Sequence, residues 1–142
     1  MKLTDLEPEW ITYNTVVEMK RTITDEALWK SSNCALGITE ALGPVHYRHH
    51  PLTLAEAQGI IFLCPKCMRD HPDGKGVHSV EVSFRDRGVL DADGTHTKEG
   101  LPVRWQVSGT GFHDLTTTPS ILLTGAGCGW HGYLQEGNVS II

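Results

Sequence analysis

The sequence predicts an α+β fold that is mostly β, with a short helical segment ahead of antiparallel strands. Its 15 Gly and 7 Pro indicate many turns, which a fold of short strands requires. Several segments alternate apolar and polar residues as half-buried strands do. A length of 142 residues is typical of one domain, so we expect a single domain over residues 1–142.

The N-terminal segment, residues 1–59, is predicted to contain one or two short helices. The stretch TDEALWKSS (Thr24–Ser32) combines helix formers with a capping residue at its start. In PLTLAEAQG, Thr53 and Glu56 have the spacing of a capping box, and Gly59 can end the helix. We expect the second helix to be about two turns long.

Residues 60–142 are predicted to form a β-rich core. In VHSVEVSF, His78, Val80, Val82 and Phe84 fall on one face of a strand. The polar, turn-rich residues 85–100 are predicted to form a surface loop. The other predicted strands are Ile60–Leu63, Val103–Val107, Pro119–Leu123 and a hairpin over His131–Ile142 with its turn near Glu136–Asn138.

Charge and hydropathy argue against several classes of function. The chain has 12 basic and 17 acidic residues and a formal net charge of −5, which is not the electrostatic footprint of a nucleic-acid-binding protein. The N-terminus lacks the apolar region of a signal peptide, and no apolar run approaches the ~20 residues of a membrane span. We therefore expect a soluble protein of a cytoplasm, without membrane association.

Two short motifs indicate a metal site. CPKC contains Cys64 and Cys67, and CGWH contains Cys128 and His131. Each motif lies in a Gly- or Pro-containing turn beside a predicted strand, the layout of a zinc ribbon. Zinc prefers four thiolate and imidazole ligands in a tetrahedron. The predicted site is therefore a Cys₃His zinc site, Zn²⁺ bound by Cys64, Cys67, Cys128 and His131.

Other interpretations of the Cys and His residues were weighed. A redox-active CPKC favours a position at the start of a helix, and the following MRDHPDGKG is a poor helix. The fourth cysteine, Cys34, is interpreted as a small buried apolar residue. We interpret His46–His50 as a solvated loop and His78 as a hydrogen-bonded residue of the core or of the site lining.

Four protein ligands indicate a structural metal, since a catalytic zinc keeps one position open for water. We therefore predict that the protein is not an enzyme. A zinc-dependent hydrolase is an alternative, and it would need a general base such as Glu81 or Asp114 close to the metal. The signatures of zinc deaminases and zinc proteases and the phosphate-binding Gly-rich loop are absent from the sequence.

Several motifs, in this order, carry a resemblance to a known family: MKLTDLEPEW, LAEAQGIIFLCPKC, GVHSVEVSF, GTGFHDLTTTPSILL and CGWHGYLQEGNV. The chain resembles a family of small zinc-ribbon-like proteins encoded mostly by tailed bacteriophages and prophages. Some members carry the name ammonia monooxygenase, which we set aside because that enzyme is a membrane complex. The resemblance implies the same four ligands and a location in the host bacterial cytoplasm or the virion, but no activity.

These observations favour a phage-encoded zinc protein that acts by binding a host or phage protein. One alternative is a structural or accessory component of the virion. Another is a nucleic-acid-binding zinc ribbon, which would need convergent basic side chains. We expect Trp130 and Tyr133 to cap the core beside the metal, with a role in a contact surface as the alternative. The basic side chains that would have to converge for nucleic-acid binding are Lys66, Arg69, Lys75, Arg85, Arg87 and Arg104.

Overall fold

The computed structural model describes the backbone of residues 1–22, 39–123 and 128–142, and side chains within 1–13, 50–123 and 128–142. The chain divides into two compact units. The first consists of Met1–Tyr13 and Arg48–Ile142, and the second is Asn14–Tyr47. The predicted helix at Thr24–Ser32 and residue Cys34 lie outside the described residues.

The first sheet has four strands in the order β2-β1-β3-β4. The register of its central pairs sets Trp10 opposite Ile60, and Ile60 opposite Val82, with antiparallel neighbours in both cases. β3 is flanked by β1 and β4, so its GIIFL sequence is buried along most of its length. The strands are β1 (Glu9–Thr22), β2 (Thr39–His49), β3 (Gly59–Leu63) and β4 (Ser79–Ser83).

The N-terminal segment differs in detail from its prediction. Strands β1 and β2 occupy much of it, and β2 includes the backbone of His46–His49, which we had expected in a loop. The helix expected over Pro51–Gly59 is a single 3₁₀ turn, Leu54–Glu56, and the Thr53 side chain does not cap it. Because β1 pairs with β3, the expected division after residue 59 passes through a sheet.

The second sheet has strands β5 (Gln106–Ser108), β6 (Thr116–Leu122), β7 (His131–Gln135) and β8 (Asn138–Val139), in the order β5-β6-β7-β8. All of its described pairings are antiparallel. The predicted C-terminal hairpin is confirmed. Glu136 and Gly137 form its turn with φ values of 47° and 76°, the positive values that a tight hairpin turn of this kind requires. The expected fold class, α+β and mostly β, is also confirmed.

The apolar core of the first unit draws on both sheets. The predicted inward face of β4 is confirmed, since Val80, Val82 and Phe84 are fully or almost fully buried. Phe62 of β3 meets Trp130 edge to face, with ring centroids 6.1 Å apart. Burying large aromatic side chains removes much apolar surface from water, so these contacts stabilise the packing of the first unit. Trp130 caps the core as expected, whereas Tyr133 is 41% exposed.

Two adjacent threonines of β6 test the cost of a buried hydroxyl. Thr117 is buried, and its Oγ1 has no hydrogen-bond partner among the described residues. We expect Thr117→Val to raise the free energy of unfolding by about 1 kcal/mol, since an unsatisfied buried polar group is costly. Thr116 Oγ1 accepts a 2.9 Å bond from Glu136 N, so Thr116→Val should lower it by about 1 kcal/mol. Urea unfolding of both variants checks this, and equal effects would contradict it.

Alanine substitutions at two glycines with similar φ values distinguish the cost of backbone strain from the cost of a steric clash. Gly137 has φ +76°, and a Cβ there would overlap the carbonyl of His113. Gly74 has φ +80°, and a Cβ there would meet nothing within 4 Å. We expect Gly74→Ala to cost roughly 1–2 kcal/mol of stability, the cost of the left-handed conformation. Gly137→Ala should cost clearly more in thermal unfolding, and a smaller loss than for Gly74→Ala would show that the hairpin adapts.

Candidate metal centre

Cys64 and Cys67 lie where the first sheet passes into a short helix. β3 ends at Leu63, and helix α1 spans Pro65–Asp70 with Cys64 as its N-cap residue. Pro65 suits the first helical position because its fixed φ is helical and its missing N–H is not needed there. We had expected the residues after CPKC to be a poor helix, but one short helix forms, and Met68 N donates to Cys64 O at 3.0 Å.

His78 reaches Cys64 through strand pairing. Leu63 lies opposite Ser79 in the antiparallel pair β3–β4, and Cys64 N donates to His78 O at 2.9 Å. The pair therefore extends one residue beyond the strand ends and sets His78 beside the first cysteine. The 13 residues between the two in sequence form α1 and the following turns.

Cys128 comes from the second sheet. It precedes β7, and Leu123 N donates to Trp130 O at 2.9 Å, so the backbone pairing continues beyond β6 and β7. Lys66 Nζ donates to Cys128 O at 2.8 Å, which joins this segment to α1. Three segments that are distant in sequence thus meet at one point.

The four side chains form a group with the dimensions of a metal site. The ligand atoms of Cys64, Cys67, His78 and Cys128 all lie within 4.8 Å of one another. Cys128 Sγ is 3.4 Å from Cys64 Sγ and 3.1 Å from His78 Nε2. Ligands of a tetrahedral zinc ion, with bonds of about 2.0–2.3 Å, lie roughly 3.5 Å apart. The group is thus a Cys₃His set that can hold a metal ion.

Neighbouring polar groups are oriented for metal binding. The backbone N–H groups of Lys66 and Cys67 donate to Cys64 Sγ, and that of Trp130 donates to Cys128 Sγ. His78 Nδ1 lies 3.1 Å from Ser79 O, so a proton on Nδ1 donates to this carbonyl and leaves the Nε2 lone pair aimed at the group. Such outer hydrogen bonds fix the orientation of metal ligands.

The thiols differ in acidity. Burial raises the pKa of Cys64 to about 12. Burial also acts to raise the pKa of Cys128, but bonds from His78, Cys64 and the Trp130 N–H outweigh it and lower this pKa to about 7. The hydrogen bond to Cys128 raises the pKa of His78. One thiolate is therefore favoured without a cation, and a bound metal would favour the others.

The sequence motif placed His131 in the site, but His78 takes that place in the structure. His131 is the first residue of β7 and lies opposite Leu122 of β6. Its Nε2 is 3.0 Å from Ser120 Oγ. The pleat of β7 buries Trp130 and Gly132 and turns His131 and Tyr133 to the other face. The strand therefore decides the direction of this imidazole, and the spacing of CGWH does not.

His78 was missed as a member of this group, although one signal was present in the sequence. It shares the face of Val80 and Val82, and it precedes a strand that can pair with the strand leading into CPKC. Neither of the bases considered for a hydrolase, Glu81 or Asp114, belongs to the group of four. The Asp114 carboxylate instead accepts bonds from the N–H groups of Thr110 and Gly111, which lower its pKa to about 2.

Most basic residues proposed for nucleic-acid binding are hydrogen-bonded within the chain. Four of the six donate to groups of the chain itself, and one of these, Arg69, forms an ion pair with Asp70. Lys66 donates to Cys128 O, and Arg69 donates to the Asp70 carboxylate. Arg87 donates to the carbonyls of Leu54 and Ala57, and Arg104 donates to four loop carbonyls.

Comparisons with protein-family models, curated proteins and solved structures find no match for this chain. Across the described ranges of the chain, no helix is long and apolar enough to cross a membrane.

Separate replacement of His78 and His131 by alanine distinguishes a ligand set that contains His78 from one that contains His131. We expect His78→Ala to weaken zinc binding by at least about 100-fold, since loss of an outer partner alone costs 10–100-fold. His131→Ala should leave the affinity within about twofold, because its imidazole bonds Ser120. Competition with a chromogenic chelator measures both affinities. The reverse order would restore His131 as the ligand.

Metal affinity should depend on pH. At pH 7 the Cys64 thiol keeps its proton in the metal-free protein, because burial raises its pKa, and metal binding must displace that proton. Affinity should therefore fall as pH falls, by about tenfold per pH unit for each proton released. Chelator competition between pH 6 and 8, corrected for the chelator's own protonation, tests this. A pH-independent affinity would exclude thiolate ligation.

Proposed function

We propose that the protein binds one Zn²⁺ ion through Cys64, Cys67, His78 and Cys128, and that this ion is structural. The convergence of four ligands from three segments carries the proposal. Thiolate-rich tetrahedral sets favour zinc over the oxygen-preferring cations. Four protein ligands also fill the coordination sphere, which leaves no position for an activated water.

The position of the group supports a structural role. Cys64 and His78 extend the β3–β4 pair, and Cys128 precedes β7 of the second sheet. A metal bound by all of them would cross-link the two sheets of the first unit beside the Phe62–Trp130 contact. Since an unfolded chain does not preform such a site, metal binding would contribute directly to folding.

We propose that the chain is encoded by a phage and acts in the host bacterial cytoplasm. Its function there is to bind another protein. The net charge of −5 favours a protein partner over nucleic acid. A contact surface is available on the outer side of the second sheet. Leu122, Tyr133 and Ile142 are 51%, 41% and 68% exposed there, and β6, β7 and the C-terminus are adjacent.

The metal is tested first. Elemental analysis and X-ray absorption of the purified protein should give one zinc per chain with three sulfur ligands and one nitrogen ligand. Cys128→Ser should lose the zinc and unfold at a lower temperature, whereas Ser140→Ala, a surface change beyond the site, should retain it. An oxygen ligand in a Cys128→Ser protein that stays folded would favour the zinc-dependent hydrolase instead.

The partner is tested separately. Pull-down from phage-infected cells with wild type and with Leu122→Asp/Tyr133→Ala should recover a protein with the wild type alone, at equal zinc content. Recovery with both proteins would exclude this surface as the contact. Presence of the chain in purified phage particles would favour the virion component, and a salt-dependent shift of DNA or RNA would favour the nucleic-acid alternative.

A further inference from the structure

A cleft of about 400 Å³ lies in the first unit, away from the four metal ligands. The polar loop after β4 forms one side, and β6 forms the other. Its volume falls within the range of small-molecule sites. All of its lining residues are described, and none of them is a ligand of the candidate metal centre.

The charge of the cleft is opposite to that of the whole chain. Its lining contains Arg85, Arg104 and His96 and no Asp or Glu, although the chain carries a net charge of −5. A positive cleft in an acidic protein is not explained by overall composition. It concentrates anions locally.

The two arginines of the cleft differ in what they bind. Arg104 donates to the carbonyls of Leu90, Asp93 and Thr95 at 2.6–3.0 Å, and so holds the loop in place. The guanidinium of Arg85 has no hydrogen bond or ion pair with the described part of the chain. The Arg85 backbone is nevertheless held, since its N–H donates to Trp105 O at 2.7 Å. Arg85 therefore presents a guanidinium fork that matches a carboxylate or a phosphate.

The remaining wall of the cleft combines an apolar surface with one hydroxyl. Val103, Trp105, Pro119 and Leu122 supply the apolar part. Trp105 Nε1 donates to Ser120 O at 3.3 Å, which fixes the indole. The Ser120 hydroxyl is bonded to His131, and when His131 Nε2–H donates to it, the hydroxyl proton is available to an acceptor in the cleft.

We propose that this cleft binds a small organic anion. Arg85 binds the carboxylate or phosphate group, Ser120 donates a hydrogen bond to it, and the apolar body of the ligand packs on Trp105 and Pro119. The histidine of the CGWH motif contacts Ser120 of the cleft and is not one of the four clustered side chains. The inference does not depend on the identity of the metal or of the protein partner.

The experiment is a titration of the purified, ¹⁵N-labelled protein, with the metal content that it has when isolated, followed by amide chemical shifts. The probes are benzoate, phenyl phosphate, benzyl alcohol and inorganic phosphate at constant ionic strength. We expect benzoate or phenyl phosphate to give saturable shifts at Arg85, Trp105 and Ser120. Benzyl alcohol lacks the charge, and inorganic phosphate lacks the apolar body, so each should bind at least tenfold more weakly.

Variants test the assigned roles. Arg85→Gln should weaken binding of the best anion at least tenfold, and Arg85→Lys, which retains charge but not the fork, should be intermediate. Lys75→Gln removes one positive charge from a residue outside the cleft lining and should have no effect. Zinc content and thermal unfolding should match wild type in all three, because none of these residues contacts the metal ligands.

Three results would overturn the proposal. The first is the absence of saturable shifts at the cleft for both organic anions. The second is equal affinity for benzyl alcohol or for inorganic phosphate, which would remove the charged or the apolar part of the recognition. The third is equal binding by Arg85→Gln and wild type. If the separate metal analysis showed no zinc binding, these three results could still be interpreted, since each is measured at the amides of the cleft.

Discussion

The meeting of Cys64, Cys67 and Cys128 with His78 is the contact at which three distant segments of the first unit converge. Two of these residues extend the β3–β4 pair, one lies in α1, and one precedes β7. Each sheet buries one face against the same core, but a small core gives limited stability. A metal ion bound at this point would join the sheets where the Phe62–Trp130 contact already brings them together.

The same group can hold several thiolates only with a cation between them. Three sulfur atoms and an imidazole lie close together, and burial raises the pKa of Cys64 to about 12. Several thiolates cannot lie side by side at low dielectric without a positive charge between them. Backbone N–H donors aimed at Cys64 and Cys128 offset part of this cost, and a bound metal would offset the rest.

Several basic side chains stabilise the fold through hydrogen bonds to backbone carbonyls. Arg104 binds loop carbonyls, and Arg87 binds the carbonyls of Leu54 and Ala57 while its guanidinium lies 5.8 Å from the Phe84 ring centroid. These bonds hold irregular segments that lack strand pairing of their own. Arg85 stands apart from this pattern because its guanidinium has no such role in the described structure. The Arg85 side chain instead lines the cleft whose apolar wall includes Trp105 and Pro119.

The sequence by itself determined the features that are local. Alternation identified the inward face of β4, turn residues located the β7–β8 hairpin, and the CPKC spacing brought Cys64 and Cys67 to one side of a turn. These features depend on residues within a few positions of each other, where spacing sets direction. Cys128 was also chosen as a ligand, because its motif repeats the same chemistry.

Only the tertiary structure decided which histidine joins the cysteines and how the N-terminal segment pairs. His78 reaches Cys64 because β3 and β4 pair in one register, and a shift of one residue would turn its imidazole away. His131 is turned toward Ser120 by the pleat of β7. The first residues of β1, Glu9–Ile11, pair with β3. Strand pairing is a contact between residues distant in sequence, so local spacing does not determine it.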